Sequence, residues 1–290
     1  MTVLVLGGGG QVASAVVAAA PASQQVVARS RAELDIGDAA AVARAVAQTG
    51  ATWIVNAAAY TAVDLAEDQP AQAVAANDTA VGVLAAAAAA AAAGCRLLHL
   101  STDFVFDGKS NRAYLPADQT NPLSVYGMSK LGGEHRVLSG ESDGIVLRTA
   151  WVYASLGRNF VLTMLRLMRE KPQLSVVCDQ IGTPTSASSV AAAIWGLIDV
   201  RAPGSVYHWT DLGVASWYDF AVAIQDEALA CGLLSRGVPI VPIPSSAYPT
   251  RAQRPGFSVL DTGSTRALIG TPACHWRHNL RTILHELRAP

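Results

Sequence analysis

The chain has 290 residues, a formal net charge of -1 at pH 7 and 51% hydrophobic side chains. That length fits one large or two modest domains, and so apolar a composition fills a core without disulfide staples. Near-neutral charge with no cluster of basic residues excludes a protein that grips nucleic acid through its phosphates. Cys95, Cys178, Cys231 and Cys274 are scattered without a C-x-x-C pair, and Met1 leads straight into an apolar run with no signal-peptide pattern. The expected compartment is therefore cytoplasmic.

Thr2 to Leu6 reads as a buried strand, followed by Gly7-Gly8-Gly9-Gly10-Gln11-Val12-Ala13 and an Ala/Val-rich helix that ends before Pro21. A glycine turn is thereby set at a helix N-terminus, where backbone N–H groups and the helix dipole can hold a pyrophosphate. Gly7 and Gly10 take the tight-turn and close-approach positions of a dinucleotide-binding turn, and Ala13 stands where a third glycine is usual. Next come a strand over Gln25–Arg29, a helix over Ala39–Gln48 with Asp38 as N-cap, a strand over Trp53–Val55, a helical stretch over Ala71–Ala93 and a strand over Arg96–Ser101. Within the helical stretch, Val81–Ala93 holds nine consecutive alanines. It is too short and too weakly apolar for a membrane span and reads as a packed helix stopped by Gly94. A helix over Ser124–Leu138 leads into a strand over Gly144–Thr149.

Such alternation predicts an α/β fold, a Rossmann-type doubly wound parallel sheet formed by residues 1–150. Beyond it nine prolines from Pro172 to Pro272 predict short elements, a smaller C-terminal substrate-binding domain over residues 151–290. A helix over Ser186–Val200 and a strand over Ser205–Trp209 are expected to return, in part, to the main sheet.

The chemistry centres on Tyr126-Gly127-Met128-Ser129-Lys130, with Ser101-Thr102-Asp103 upstream. Residues four apart share a helix face, so the Lys130 ammonium is expected near the Tyr126 phenol, lowering its pKa towards neutrality where a proton donor works best. With three lysines and seven tyrosines, chance gives this spacing in roughly one chain in fourteen. In an Arg-rich chain, lysine at this position suggests a task that guanidinium performs poorly. Ligands of doubly wound sheets bind beyond the strands' carboxyl ends, where Asn56 to Thr61, Ser101 to Asp103 and Trp151 all fall. Plainer roles are open to several of these: Asn56 could tie down a turn, Trp151 could be core and Thr102 could cap backbone. Asp64, Glu67 and Asp68 read as a solvated helix start, and His275 and His278 as surface or packing residues. The histidines show no metal-ligand spacing.

At these residues the chain resembles the extended short-chain dehydrogenase/reductases, and within them the dTDP-4-dehydrorhamnose reductase branch. The likeness rests on Gly7–Val12, Val55–Asp64, Ser101–Gly108, Tyr126–Lys130 with Gly133-Glu134, Arg148–Tyr153, Asn159-Phe160, Asp179–Thr185 and Arg254-Pro255. It implies reduction of a keto group at C4 of a nucleotide-bound sugar, Tyr126 giving the proton, Lys130 holding the nicotinamide ribose and tuning Tyr126, and Thr102 orienting the carbonyl. Asp103 and Trp151 would bound the sugar. Gly10, Gln11 and Val12 would touch the cofactor pyrophosphate, with Gly7 making the turn that presents them, Asp35 and Ile36 the adenine, and Ala59, Tyr60 and Thr61 the middle of the cofactor. Epimerases and dehydratases of nucleotide sugars, a reductase giving the 4-epimeric 6-deoxy-talose, and a non-catalytic regulatory subunit share much of this pattern. Intact Thr102, Tyr126 and Lys130 argue against the last.

Two local features refine the expectation. The end of the second strand reads Ala28-Arg29-Ser30-Arg31, with Glu33 only later. Arg29 in place of an acid there predicts NADPH over NADH, though NADH remains possible. Some relatives dimerise around magnesium held by glutamates, one of them on the first helix, but Gln11 to Ala20 holds no acid. No metal site is expected, and the partner reading is a nucleotide-sugar substrate, no nucleic acid, no membrane, and a monomer or a homodimer not bridged by metal.

Overall fold

The computed structural model describes residues 1–91, 94–140, 143–272 and 274–288. Strands β1 (Thr2–Leu6), β2 (Gln25–Arg29), β3 (Trp53–Asn56), β4 (Arg96–Thr102), β5 (Ile145–Thr149) and a sixth strand, Val206–His208, form one parallel sheet. From one edge the order is Val206–His208, β5, β4, β3, β1, β2. The inner strands β1, β3 and β5 are buried on both faces, as a parallel sheet under two helical layers requires. Period-two alternation sorts their side chains: Val3, Val5 and Val55 face helices α1 (Gln11–Ala18) and α8 (Ala187–Asp199). Leu4, Leu6 and Ile54 face the layer of α2 (Ala39–Thr49), α5 (Ala80–Ala90) and α6 (Val125–Leu138). The doubly wound fold expected from the alternation is the fold observed.

After β1 the chain steps to β2 on one side and then crosses to β3 on the other. Such a reversal, here at the carboxyl ends of β1 and β3, marks the usual ligand position in open α/β sheets.

Two differences from the sequence reading have physical causes. Ahead of α5 lie a short α3 (Val63–Asp68), α4 (Pro70–Val74) and a π-helical turn, Ala75–Thr79, so that Pro70–Ala90 is one continuous helix. At 21 residues with mean hydropathy 1.5 it meets the length and composition of a membrane span, which Val81–Ala93 alone does not. In the fold Val81, Leu84, Ala85 and Ala88 pack into the sheet's second layer, and Ala92 and Ala93 lie outside the described residues. Beyond residue 150 the elements are not uniformly short: α7 (Phe160–Glu170), α9 (Trp217–Ala230) and α11 (Trp276–Arg288) have 11, 14 and 13 residues, and α10 (Gly263–Ile269) has seven. The prolines fall between these helices and so terminate rather than interrupt them. Helices α7, α9 and α11 enclose a separate apolar cluster of Val161, Leu165, Phe220, Ile224, Leu280 and Ile283. Helix α8 and Val206–His208 belong to the main sheet layer, with the Trp195 indole donating to the Val16 carbonyl of α1 at 3.0 Å.

Candidate active site

The glycine turn closes tightly after β1. Gly7 has φ +89°, and a Cβ there would stand 2.7 Å from the Ala58 nitrogen. No other residue type lets β1 and the segment after β3 approach so closely. Gly7 and Gly8 donate to the Arg29 carbonyl at 3.1 and 2.8 Å. Gly9, with φ +85°, adds a second left-handed position that motif reading passes over. Gly10 caps α1 without a side-chain hydrogen bond, and the first turn carries no acid. First-turn N–H groups are thus left for an anion, so the turn fits a dinucleotide pyrophosphate.

The other cofactor candidates line the same sheet edge with varied local duties. Gln11 Oε1 accepts from Asn159 Nδ2 at 3.0 Å, tying the turn to the N-cap of α7. Val12 packs into the sheet core. Arg29 ends β2 and donates to Ala28 O, Asp35 Oδ1 accepts from Gly37, and Ile36 packs beside α2. Glu33 does reach the end of β2: its carboxylate takes both the Ser30 N–H and the Ser30 hydroxyl at 2.7 Å. Beyond β3, Ala59 and Thr61 are exposed, while Asn77 fixes Tyr60 by accepting from its N–H at 2.8 Å and donating to its carbonyl at 3.0 Å. Asn77 lies in the π-helical turn and also donates to the Ser129 hydroxyl at 3.0 Å. No sequence pattern marks it, because its value lies in two residues distant along the chain.

Tyr126 stands in the first turn of α6, which Ser124 caps by accepting from Gly127 at 3.1 Å. Glu67 Oε1 accepts from the Val125 N–H at 2.9 Å, supporting the same helix start. The Tyr126 ring meets Phe104 edge-on at 5.6 Å. Burial pushes the phenol up to about 12; the Thr102 hydroxyl works against this and the Asp103 carboxylate with it. The expected Lys130 effect on the phenol is absent from these causes. Lys130 instead directs its nitrogen to the Leu100 carbonyl at 2.6 Å and to His99 Nε2 at 3.1 Å, and burial lowers it to about 8. Both side chains share a helix face as the spacing requires, but two buried groups on β4, the His99 ring and the Leu100 carbonyl, engage the lysine nitrogen.

Thr102 ends β4, donates to Asp103 Oδ1 at 3.0 Å and accepts from the Phe104 N–H at 3.2 Å. Its backbone-capping role and its place beside the phenol therefore coexist. Asp103 is 2% exposed, and burial raises its carboxyl to about 6 against hydrogen bonds from Ser258 and Thr102. Trp151 leaves β5 with φ +48° and stacks on Trp217 of α9, ring centroids 3.5 Å apart and planes 4° from parallel. A Cβ on Gly182 would reach the Trp151 ring at 2.6 Å, so that glycine admits the indole. Phe104, Gln180, Arg254 and Ser258 complete a narrow cleft with the two tryptophans. Trp217 and Gln180, hydrogen-bonded at 3.2 Å, join the site only through tertiary packing.

Behind the site, Glu134 and Arg148 form a buried two-point ion pair at 2.9 and 2.6 Å, with Ser101 also donating to Glu134. His208 lies 3.3 Å from Arg148, and burial beside that cation lowers it to about 3. The acids after Thr61 are not merely a solvated helix start. Asp64 pairs with Arg254 at 2.6 Å, Asp68 with Arg251, and Glu67 caps α6. His275 packs against Trp276, as a structural histidine would.

Comparison with known proteins agrees with this geometry. A family model described as RmlD substrate binding domain matches residues 1–289. A dTDP-4-dehydrorhamnose reductase of Burkholderia thailandensis is 41% identical over 99% of both chains, and one of Aggregatibacter actinomycetemcomitans is 39% identical over 89% of both. Among solved structures, a dTDP-4-dehydrorhamnose reductase of Clostridium acetobutylicum superposes with a TM-score of 0.92 at 33% identity, covering 100% of each chain. One of Bacillus anthracis in complex with NADP gives 0.91 at 29% identity, covering 98% of this chain and 99% of that one. A dTDP-glucose 4,6-dehydratase of Streptomyces venezuelae, at 19% identity and 0.77, shares the fold alone. The chain belongs to the RmlD family, that of the dTDP-4-dehydrorhamnose reductases.

Proposed function

We propose that this chain uses NADPH to reduce the C4 keto group of dTDP-4-dehydro-L-rhamnose, giving dTDP-L-rhamnose. The observation that carries the reading is the meeting, at one sheet edge, of an uncapped glycine turn on β1 with Thr102, Tyr126 and Lys130 at β4 and α6. The family and the NADP held by the Bacillus anthracis relative support it.

When bound, the cofactor supplies hydride to C4. Gly7, Gly10, Gln11 and Val12 would hold its pyrophosphate, Arg29 the 2′-phosphate, Asp35 and Ile36 the adenine, and Ala59, Tyr60 and Thr61 its middle. Thr102 would orient the keto oxygen towards Tyr126, whose phenol gives the proton that converts the developing alkoxide to a hydroxyl. A phenol held at about 12 keeps its proton through neutral pH and passes it to a still more basic alkoxide. Lys130 would hold the nicotinamide ribose. Asp103 and Trp151 would bound the sugar, with Trp217 beside Trp151, and residues 151–290 apart from 186–210 would form the substrate lobe.

The test is NADPH oxidation dependent on dTDP-4-dehydro-L-rhamnose, with the product's C4 configuration fixed by NMR. Tyr126→Phe should lower kcat by roughly 10²–10⁴ while NADPH still binds. Nucleotide-sugar binding without NADPH consumption by the wild-type protein would reject the reading. We further infer a cytoplasmic protein, monomeric or dimeric without a bridging metal, since α1 offers no acid. Light scattering should give the same mass with and without chelator.

A further inference from the structure

The hydrogen bonds around Lys130 constrain where protons can sit. The Ala58 N–H can only donate, and it meets Asn56 Oδ1 at 3.1 Å. That orients the Asn56 amide with Nδ2 towards His99 Nδ1, 3.0 Å away. An amide nitrogen donates and does not accept, so Nδ1 accepts and a neutral His99 carries its proton on Nε2. Nε2 faces Lys130 Nζ at 3.1 Å. An ammonium has no lone pair to receive an Nε2–H, whereas a free amine has one and still donates to Leu100 O at 2.6 Å. Double protonation does not resolve the conflict, because burial and the neighbouring lysine hold His99 well below the usual imidazole range.

The surroundings reinforce this arrangement. Asn56 and His99 are fully buried and Lys130 is 2% exposed, so water does not compete for these bonds. Gly133 brings α6 close to the imidazole: a Cβ there would stand 3.3 Å from Nε2. Of the nearby charges, Glu134 on the same helix favours the ammonium, but its carboxylate is bonded to Arg148 on β5 and Ser101 on β4. Asp78 on the π-helical turn pairs with Arg136, and Asp103 acts on Tyr126.

We propose that Asn56 and His99 are positioning residues that favour the free amine of Lys130 over its ammonium, and that Lys130 becomes an ammonium only when the Asn56 amide turns over. In that change one proton enters from solvent: His99 receives it on Nδ1 and passes its Nε2 proton to Nζ. Nδ1–H then donates to Asn56 Oδ1, which must release the Ala58 N–H. Because Ala58 adjoins Ala59, Tyr60 and Thr61, the charge on Lys130 is tied to the backbone that lines the cofactor crevice. The inference deepens the reductase reading and rests on it only for the consequence in turnover.

Lysine labelled with ¹³C at Cε gives a direct test in the whole protein, which has three lysines, 109, 130 and 171. With the signal assigned by Lys130→Met, Lys130 should titrate about 8, clear of the other two near ~10. His99→Gln can turn an oxygen to the ammonium, so its inflection should rise by about one unit, a ten-fold gain in proton affinity. Asn56→Asp forces His99 to protonate Nδ1 and should raise the inflection too; adding His99→Phe should abolish that rise. Three lysines titrating together in the wild type would overturn the proposal. So would an inflection unmoved by both single substitutions, or an Asn56→Asp rise that survives loss of His99. Absence of keto-sugar reduction alongside the expected titrations would reject the reductase reading alone.

Discussion

At the scale of single residues, burial decides more than spacing does. Tyr126 and Lys130 fall where their separation in sequence puts them, yet burial raises the phenol and lowers the amine. Asp103 illustrates the cost of such a site. Its folded pKa of about 6 lies above the ordinary 3.8, so the stability it contributes is present below the ordinary value and is lost as pH rises through about 6. Asp103→Asn, which does not titrate, should therefore melt progressively higher than the wild type as pH rises across that window. The gain at neutral pH should be roughly 3 kcal/mol, read by thermal melts at several pH values. Glu33 presents a different balance: its carboxylate occupies Ser30 at the end of β2, beside Arg29. A like charge repels a 2′-phosphate, so Glu33→Gln should strengthen the preference for NADPH over NADH in initial-rate assays with both cofactors.

At the scale of elements, α6 is positioned by what its small residues permit. Gly132 and Gly133 face Asp78 and the Asn77 carbonyl of the π-helical turn, and a Cβ at Gly133 would run into that carbonyl. Gly133→Ala should destabilise by about 1–3 kcal/mol through overpacking. It should also lower activity, because Tyr126, Ser129 and Lys130 ride on the same helix; denaturant melts and turnover read the two effects. Around the second apolar cluster, Glu227 of α9 holds Arg281 and Arg277 of α11, and these partners lower its carboxyl to about 2. That contribution is present above the ordinary carboxylate pKa and lost as pH falls through about 2. Glu227→Gln should cost roughly 2 kcal/mol at pH 7, a difference from wild type that narrows in acid.

At the scale of the molecule, side chains distant in sequence meet over the sheet edge. Asn159 reaches Gln11 on the cofactor turn, and Arg254 beside Trp151 and Trp217 reaches Asp64 beyond β3. Arg254→Ala should raise the KM for the nucleotide sugar more than it lowers kcat, since it loosens the cleft without touching the proton donor. Steady-state kinetics separates the two. Much of this architecture is legible in the chain because it is local: apolar runs mark buried strands, Gly7 to Gly10 mark the turn, and Ser124 with Tyr126 and Lys130 marks the start and face of α6. The sequence by itself thus determined the parallel sheet, the reductase chemistry and most of the residues at its edge. Tertiary structure alone decided that Asn77 clamps Tyr60, that Trp217 stacks on Trp151, that Glu33 folds onto Ser30, and that His99 and Leu100 take the nitrogen of Lys130. Those outcomes depend on burial and on partners remote in sequence, and neither is encoded in the spacing of the motif itself.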